Sequence, residues 1–221
     1  MIGCLRCIDK YPEEHIELPS DQSSSYQRST VCAAKANNGE TSSAHGEEFP
    51  RNDFYLTGIL AHADKITINR RCYSKETLVR EVQRYHQELI LPGNAFGELT
   101  HPNITSSSFQ SLNPSAVSHQ IMAVWWKGDE LHGLIRLLDT ASGRRAARLL
   151  EAGQHLGASS RSWTSLVPDA DSGTDIVQDD MHLITFDLTP RPASGSFLRP
   201  LPRHLIPTVQ SRIQSCCKMQ L

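Results

Sequence analysis

The chain carries almost no excess of either charge. Its 221 residues hold 22 Lys and Arg against 24 Asp and Glu, a formal net charge of −2. No global field is available to hold a nucleic-acid backbone or an anionic membrane. Apolar runs near the roughly 18 residues of a membrane helix are also missing, and Met1-Ile2-Gly3-Cys4-Leu5-Arg6 lacks the long apolar stretch of a secretory leader. The expectation is a soluble, intracellular protein with no nucleic-acid and no membrane partner. There is no His-Glu-x-x-His motif and no glycine-rich phosphate loop. No metal and no cofactor are therefore expected. Of the six cysteines, all but Cys72 lie in the terminal segments (Cys4, Cys7, Cys32, Cys216 and Cys217), a poor disulfide framework for a core. Cys4-x-x-Cys7 with Cys216-Cys217 would supply four thiolates to zinc, but the second pair is adjacent, and reduced tail thiols are the simpler reading.

What is present falls into three parts. Residues 1–53 read as an N-terminal tail, disordered or removable, because the stretch from Ser20 to Pro50 is rich in Ser, Asn, Gln, Glu and Gly. Residues 54–198 have regular apolar patterning and the size of one domain. Residues 199–221 read as a C-terminal tail, opened by Pro200, Pro202 and Pro207. Within the domain, 54–61 reads as a strand, and Ser74 caps a helix with Leu78, Val82, Tyr85 and Leu89 at helical spacing, ended by Pro92-Gly93-Asn94. Two β-rich runs, 117–127 and 131–138, flank a short hairpin connection. A second helix is expected over 142–152 with Ala146, Leu149 and Leu150 on one face, stopped by Gly153. Then come a small-residue loop carrying Ser159, a strand near 162–167, a turn at 169–173, and strands at 176–177 and 182–188. The fold class is α+β: a partly closed β-barrel or curved, antiparallel-rich sheet with two main packed helices.

Three residues stand out for chemistry. His101 sits between Thr100 and Pro102, and the proline biases the histidine away from helix. Histidine is the side chain type whose chemistry suits a general base near neutrality. Ser159, in Gly157-Ala158-Ser159, needs such a neighbour to act as a nucleophile, and Ser160 competes with it. Asp187 is a carboxylate in the apolar run Phe186-Asp187-Leu188, where burial without a partner is costly. Taken singly, each also has an ordinary reading: a turn histidine, a polar loop serine, an edge-strand aspartate. Arg144, Arg145 and Arg148 form a basic helix face, most simply a solvated one.

The order of the motifs carries more. Asn69-Arg70-Arg71-Cys72-Tyr73, Gly97-Glu98-Leu99-Thr100-His101-Pro102, Trp125-Trp126-Lys127-Gly128, Leu138-Asp139-Thr140, Leu156-Gly157-Ala158-Ser159-Ser160-Arg161 and Asp187 before Pro192 follow one another over residues 54–198. This succession resembles the prohead, or capsid maturation, serine proteases of tailed bacteriophages, whose fold is related to the herpesvirus assemblins. The resemblance implies His101 as general base, Ser159 as nucleophile and Asp187 as the orienting acid, with backbone N–H groups at Ser160 and Arg161 as oxyanion donors. It implies no cofactor, a zymogen that cleaves itself, phage scaffold protein and major capsid protein as substrates, self-association, and work inside the assembling prohead in the bacterial host cytoplasm. The chain departs from the family pattern at Thr100, where Asp or Asn is usual, at Ser162-Trp163-Thr164, which replaces a glycine-containing run, and at Thr189 and Ala193 in place of Val and Ser. These departures keep a rival in view: a catalytically silent assembly module that binds scaffold or shell protein on the same fold.

Overall fold

A computed structural model describes residues 54–106 and 109–208. The N-terminal segment 1–53, the end 209–221 and the cysteines they carry lie outside the described residues, and so does the zinc arrangement considered for them.

The largest sheet has five strands in the order β10 (Arg199–Pro200), β1 (Tyr55–His62), β5 (Glu130–Leu137), β4 (Val117–Lys127) and β3 (Phe96–Glu98), all paired antiparallel. Strands β4 and β5 are the expected hairpin, closed by a turn at Gly128-Asp129 with Lys127 opposite Glu130. Registers slip between Ile59 and Ala61 on β1 and between Ile121 and Ala123 on β4. Such bulges bend a strand and increase its twist, which curves the sheet over its core of Leu56, Leu60, Ile121, Leu134 and Ile135. Strand β10 falls where a tail was expected to begin. Its backbone pairs with β1, Leu201 donates its N–H to the Tyr55 carbonyl at 2.8 Å, and the Leu201 side chain is buried.

A second sheet holds β2 (Arg71–Cys72), β8 (Thr174–Val177) and β7 (Leu166–Asp169), with β2 parallel to β8. The third is the antiparallel pair β6 (Gly157–Trp163) and β9 (His182–Thr189). Two expectations are corrected here. The small-residue segment around Ser159 is not a loop but the middle of β6, and the strand expected over 162–167 is divided between the end of β6 and the start of β7. The sheets form no closed barrel, which leaves the curved, antiparallel-rich sheet of the two arrangements expected. Among the described residues β3 and β9 share no ladder, a single parallel bridge joining Leu99, just past β3, to Leu188, and β6 packs on β1 without a ladder. Strands lacking continuous hydrogen bonding at two seams remain a curved, antiparallel-rich arrangement.

Helix α1 (Lys75–Tyr85) starts where Ser74 Oγ accepts the Thr77 N–H at 3.1 Å. Leu78, Val82 and Tyr85 face the core as the spacing requires, but Leu89 does not continue the stripe. One π-helical turn, His86–Ile90, adds a residue to the repeat, so that Ile90 reaches the interior and Leu89 is half-buried. The helix docks on β9 through a buried carboxylate: Glu81 accepts the Leu183 N–H at 2.9 Å, and Arg84 spans Glu81 and the Leu183 carbonyl. Burial pushes the Glu81 carboxyl up, but the Leu183 N–H and the Arg84 and Arg80 guanidiniums outweigh it, and the net shift is down. Tyr85 then meets Phe186 edge to face at 5.8 Å between ring centres.

Helix α2 (Ala141–Glu151) is capped by Thr140, whose Oγ1 accepts the Gly143 N–H at 3.0 Å. Its buried face is Gly143, Ala146 and Ala147, while Leu149 and Leu150 are half-buried. Small residues win because the helix lies against the backbone itself. A Cβ on Gly143 would come within 2.0 Å of the Leu138 carbonyl oxygen and 2.7 Å of that of Ser118.

Candidate active site

Strand geometry assembles the site. In the β6–β9 ladder Ser159 lies opposite Asp187, Ser160 opposite Phe186 and Arg161 opposite Thr185. Directly paired residues share a face and successive residues alternate, so Ser159, Arg161 and Asp187 stand on one face and Ser160 on the other. The competition between the two serines is thus a question of strand parity. Ser159 is buried to 6 % exposure and Asp187 is fully buried.

His101 arrives from a different part of the chain. Beyond β3, Leu99 bridges to Leu188, and the Thr100 N–H donates to the Leu188 carbonyl at 2.7 Å, laying the segment beside β9. The imidazole Nδ1 then stands 2.7 Å from Asp187 Oδ2, with about a third of the side chain left open to solvent. An aspartate at Nδ1 fixes which ring nitrogen carries the proton, and Nε2 becomes the nitrogen available as base.

This delivery strains the backbone. Thr100 has φ 71°, a left-handed conformation that a β-branched residue rarely adopts and that Asn or Asp tolerates better. The cost of such a residue is of order 1–3 kcal/mol. Thr100→Asn is therefore expected to raise unfolding stability by about 1 kcal/mol, read as a higher urea midpoint at unchanged m-value; a midpoint equal to or below that of the parent would show that the strain is not real.

Behind the His101–Asp187 pair lies a buried ionic cluster that reading the sequence missed. Arg161 is 1 % exposed, and its Nη2 donates to Glu98 Oε1 at 3.0 Å and to Asp187 Oδ1 at 3.2 Å. Its Nε stands 3.0 Å from Asp187 Oδ2. Asp187 Oδ1 also accepts the Glu98 N–H at 2.9 Å, and Glu98 Oε1 the Asn113 N–H at 2.8 Å. The signal was available: Arg161 is two residues from Ser159, and a strand there puts both side chains on the face that Asp187 shares. Glu98 lies in the same motif as His101 but received no role.

A second histidine supports the cluster from β4. His119 is fully buried, with Nδ1 2.8 Å from Ser118 Oγ and Nε2 2.9 Å from the Phe186 carbonyl oxygen. Gly97 makes room for it, since a Cβ there would lie 2.4 Å from both His119 Nε2 and that oxygen. Burial pushes the His119 imidazole down from 6.5 to about 4, against the opposing pull of the Phe186 carbonyl and Asp187. The unfolded chain then takes up a proton near pH 6.5 that the folded chain refuses until about pH 4. Stability due to neutral His119 is whole above the upper value and is lost as pH falls toward the lower, by about 3 kcal/mol. Urea midpoints from pH 7 to 4.5 should decline accordingly, and His119→Gln should flatten the slope; an unchanged slope would contradict this.

Ser159, Ser160, Arg161 and His101 border one open cleft of about 530 Å³. Its other walls include Asn69, Arg71 and Tyr73 from the first motif, Ile104 and Phe109 from the segment after His101, and residues Pro190–Ala193 beyond β9. Because N–H groups alternate in direction along an antiparallel strand, one of the two consecutive N–H groups of Ser160 and Arg161 points away from β9. No group of three or more metal-ligating side chains occurs among the described residues.

Comparison with known proteins gives a family for the chain. The family model described as prohead core protein serine protease matches residues 27–196. The chain is 33 % identical over 131 residues to the prohead core protein protease of Enterobacteria phage T4, an alignment covering 58 % of this chain and 59 % of that protein. It is also similar to the solved structure of the bacteriophage T4 capsid assembly protease, gp21, with a TM-score of 0.56 and 30 % identity over 61 % of this chain and 80 % of that one.

Proposed function

The chain belongs to the prohead core protein serine protease family, and we propose from that premise that it is a serine endopeptidase cutting scaffold and capsid proteins, and itself, within an assembling phage prohead in the host cytoplasm. The observation that carries the reading is the buried Asp187 held 2.7 Å from His101 Nδ1, on the strand directly opposite Ser159. In this reading Ser159 Oγ attacks the scissile carbonyl carbon while His101 Nε2 takes its proton. The oxyanion receives a hydrogen bond from a backbone N–H at Ser160 or Arg161, and Asp187 stays ionised and steadies the imidazolium. His101 then returns the proton to the leaving amine as the C–N bond breaks. Water, deprotonated by the same imidazole, releases the acyl group and restores Ser159. No cofactor is required for these steps.

A silent assembly module would have no use for a buried carboxylate aligned on an imidazole beside a cleft. The proposal also carries the fold relation to the herpesvirus assemblins implied by the sequence resemblance, which superposition on an assemblin tests. For the activity, the full-length chain is co-assembled with the scaffold and major capsid proteins of its phage and followed by mass spectrometry. Discrete cleavage of both partners and of the chain's own terminal segments is expected. Partners left intact by a folded, incorporated chain would favour the silent module.

A further inference from the structure

We propose that Glu98 and the side chain of Arg161 form a positioning pair that aims the Asp187 carboxylate at His101 and sets how readily the imidazole holds a proton. The inference rests on the peptidase reading but goes beyond it, since that reading used only the backbone at Arg161 and gave Glu98 no part.

The geometry is that of a clamp. Asp187 Oδ1 receives the Glu98 N–H and Arg161 Nη2, while Oδ2 faces His101 Nδ1 with Arg161 Nε 3.0 Å away. With Oδ1 hydrogen-bonded from behind by the Glu98 N–H and Arg161 Nη2, and Oδ2 held against the guanidinium by charge, the carboxylate cannot rotate without breaking the charge-assisted hydrogen bond at Oδ1. The guanidinium is itself fixed, because Nη2 also reaches Glu98 Oε1 and Nη1 points to the Ser111 carbonyl at 3.4 Å. A lysine, with a single charged point, would not span both carboxylates in this way.

The charges give the pair its second role. Two buried carboxylates, Asp187 and Glu98, meet one buried guanidinium, which leaves a net negative charge that a proton on His101 would balance. Without Glu98, Arg161 would offset Asp187 alone and make the imidazolium less favourable. Without Arg161, both carboxylates would favour it more. The remaining groups near His101 and Asp187 are few. His119 on β4 stays neutral above about pH 4, Tyr85 on α1 is a phenol held protonated by burial, and Arg71 and Arg191 line the cleft.

The test measures His101 itself. In full-length protein carrying Ser159→Ala to prevent self-cleavage, the His101 ring resonance, assigned by its loss in His101→Gln, is followed by NMR against pH. Glu98→Gln keeps the shape and an oxygen for Asn113 and Arg161 but removes the charge, and should move the titration midpoint down by roughly half a pH unit or more. Arg161→Gln should move it up. In the active chain, Glu98→Gln should shift the acid limb of kcat/KM in the same downward direction. A purely structural role predicts lost stability without opposite movements of one resonance. Midpoints unchanged in Glu98→Gln overturn the proposal, and that variant alone decides should Arg161→Gln not fold. If the midpoints move as stated while the wild-type chain cleaves nothing, the clamp stands and the peptidase reading falls.

Discussion

Ser159→Ala is expected to lower kcat/KM for peptide cleavage by on the order of 10⁶-fold, whereas Ser160→Ala should stay within about tenfold of the parent. The asymmetry follows from strand parity. Ser159 stands opposite Asp187 in the ladder, and Ser160, opposite Phe186, projects from the other face. Removing Oγ at position 159 deletes the proposed nucleophile. At position 160 the same change leaves the backbone N–H, the part of that residue proposed to meet the oxyanion. Each change removes a single hydroxyl from the same strand, so the variants should fold alike and the comparison reports chemistry. Cleavage of a peptide spanning a processing site, measured under kcat/KM conditions, checks it. Activity surviving in Ser159→Ala but lost in Ser160→Ala would reverse the assignment of the nucleophile.

Asp187→Asn should reduce kcat by about 10⁴-fold, because an amide cannot hold the His101 tautomer or steady the imidazolium. The substitution also acts on the fold. Arg161 loses one of two buried anionic partners, and breaking a buried ion pair from one side typically costs 3–5 kcal/mol. Glu98 remains against the guanidinium, so a loss of about 3 kcal/mol is expected. The two effects separate experimentally: a urea titration reads the stability, and kcat normalised to folded protein reads the chemistry. If Asp187 served the fold alone, stability would fall while kcat per folded molecule held.

The sequence made the histidine, the serine and the acid visible for different reasons. His101 was legible from its proline and its motif. Asp187 was legible because a carboxylate within Phe-Asp-Leu demands a partner, and the structure supplies three, in His101, Arg161 and the Glu98 N–H. The setting of Ser159 was misread as a loop, since Gly-Ala-Ser-Ser has little β propensity of its own. Pairing with β9 holds it as a strand, an example of tertiary context overriding local preference. The Arg161 side chain, as opposed to its backbone N–H, has no sequence signal for a related reason. An arginine in a sequence suggests solvent, and only the ladder register shows that its side chain points inward, between two carboxylates. The end of α1 was hidden by a π-helical turn that no simple spacing encodes, and the buried face of α2 by contacts with backbone rather than side chains. Strand order was legible only where a hairpin made neighbours of adjacent segments, as in β4 and β5; the approach of β3 to β9 rests on contacts between distant residues, the Leu99–Leu188 bridge and the hydrogen bonds of Glu98 to Asp187 and Thr185 to Phe96 among them.

The central claim is that His101, oriented by Asp187, activates Ser159. Its most direct measurement is covalent labelling of the full-length chain with a serine-directed phosphonate probe, located by peptide mass spectrometry. The account predicts a single label on Ser159 that disappears in His101→Ala at equal folded concentration. A label on Ser160, or labelling of Ser159 at the parental rate without His101, would contradict it.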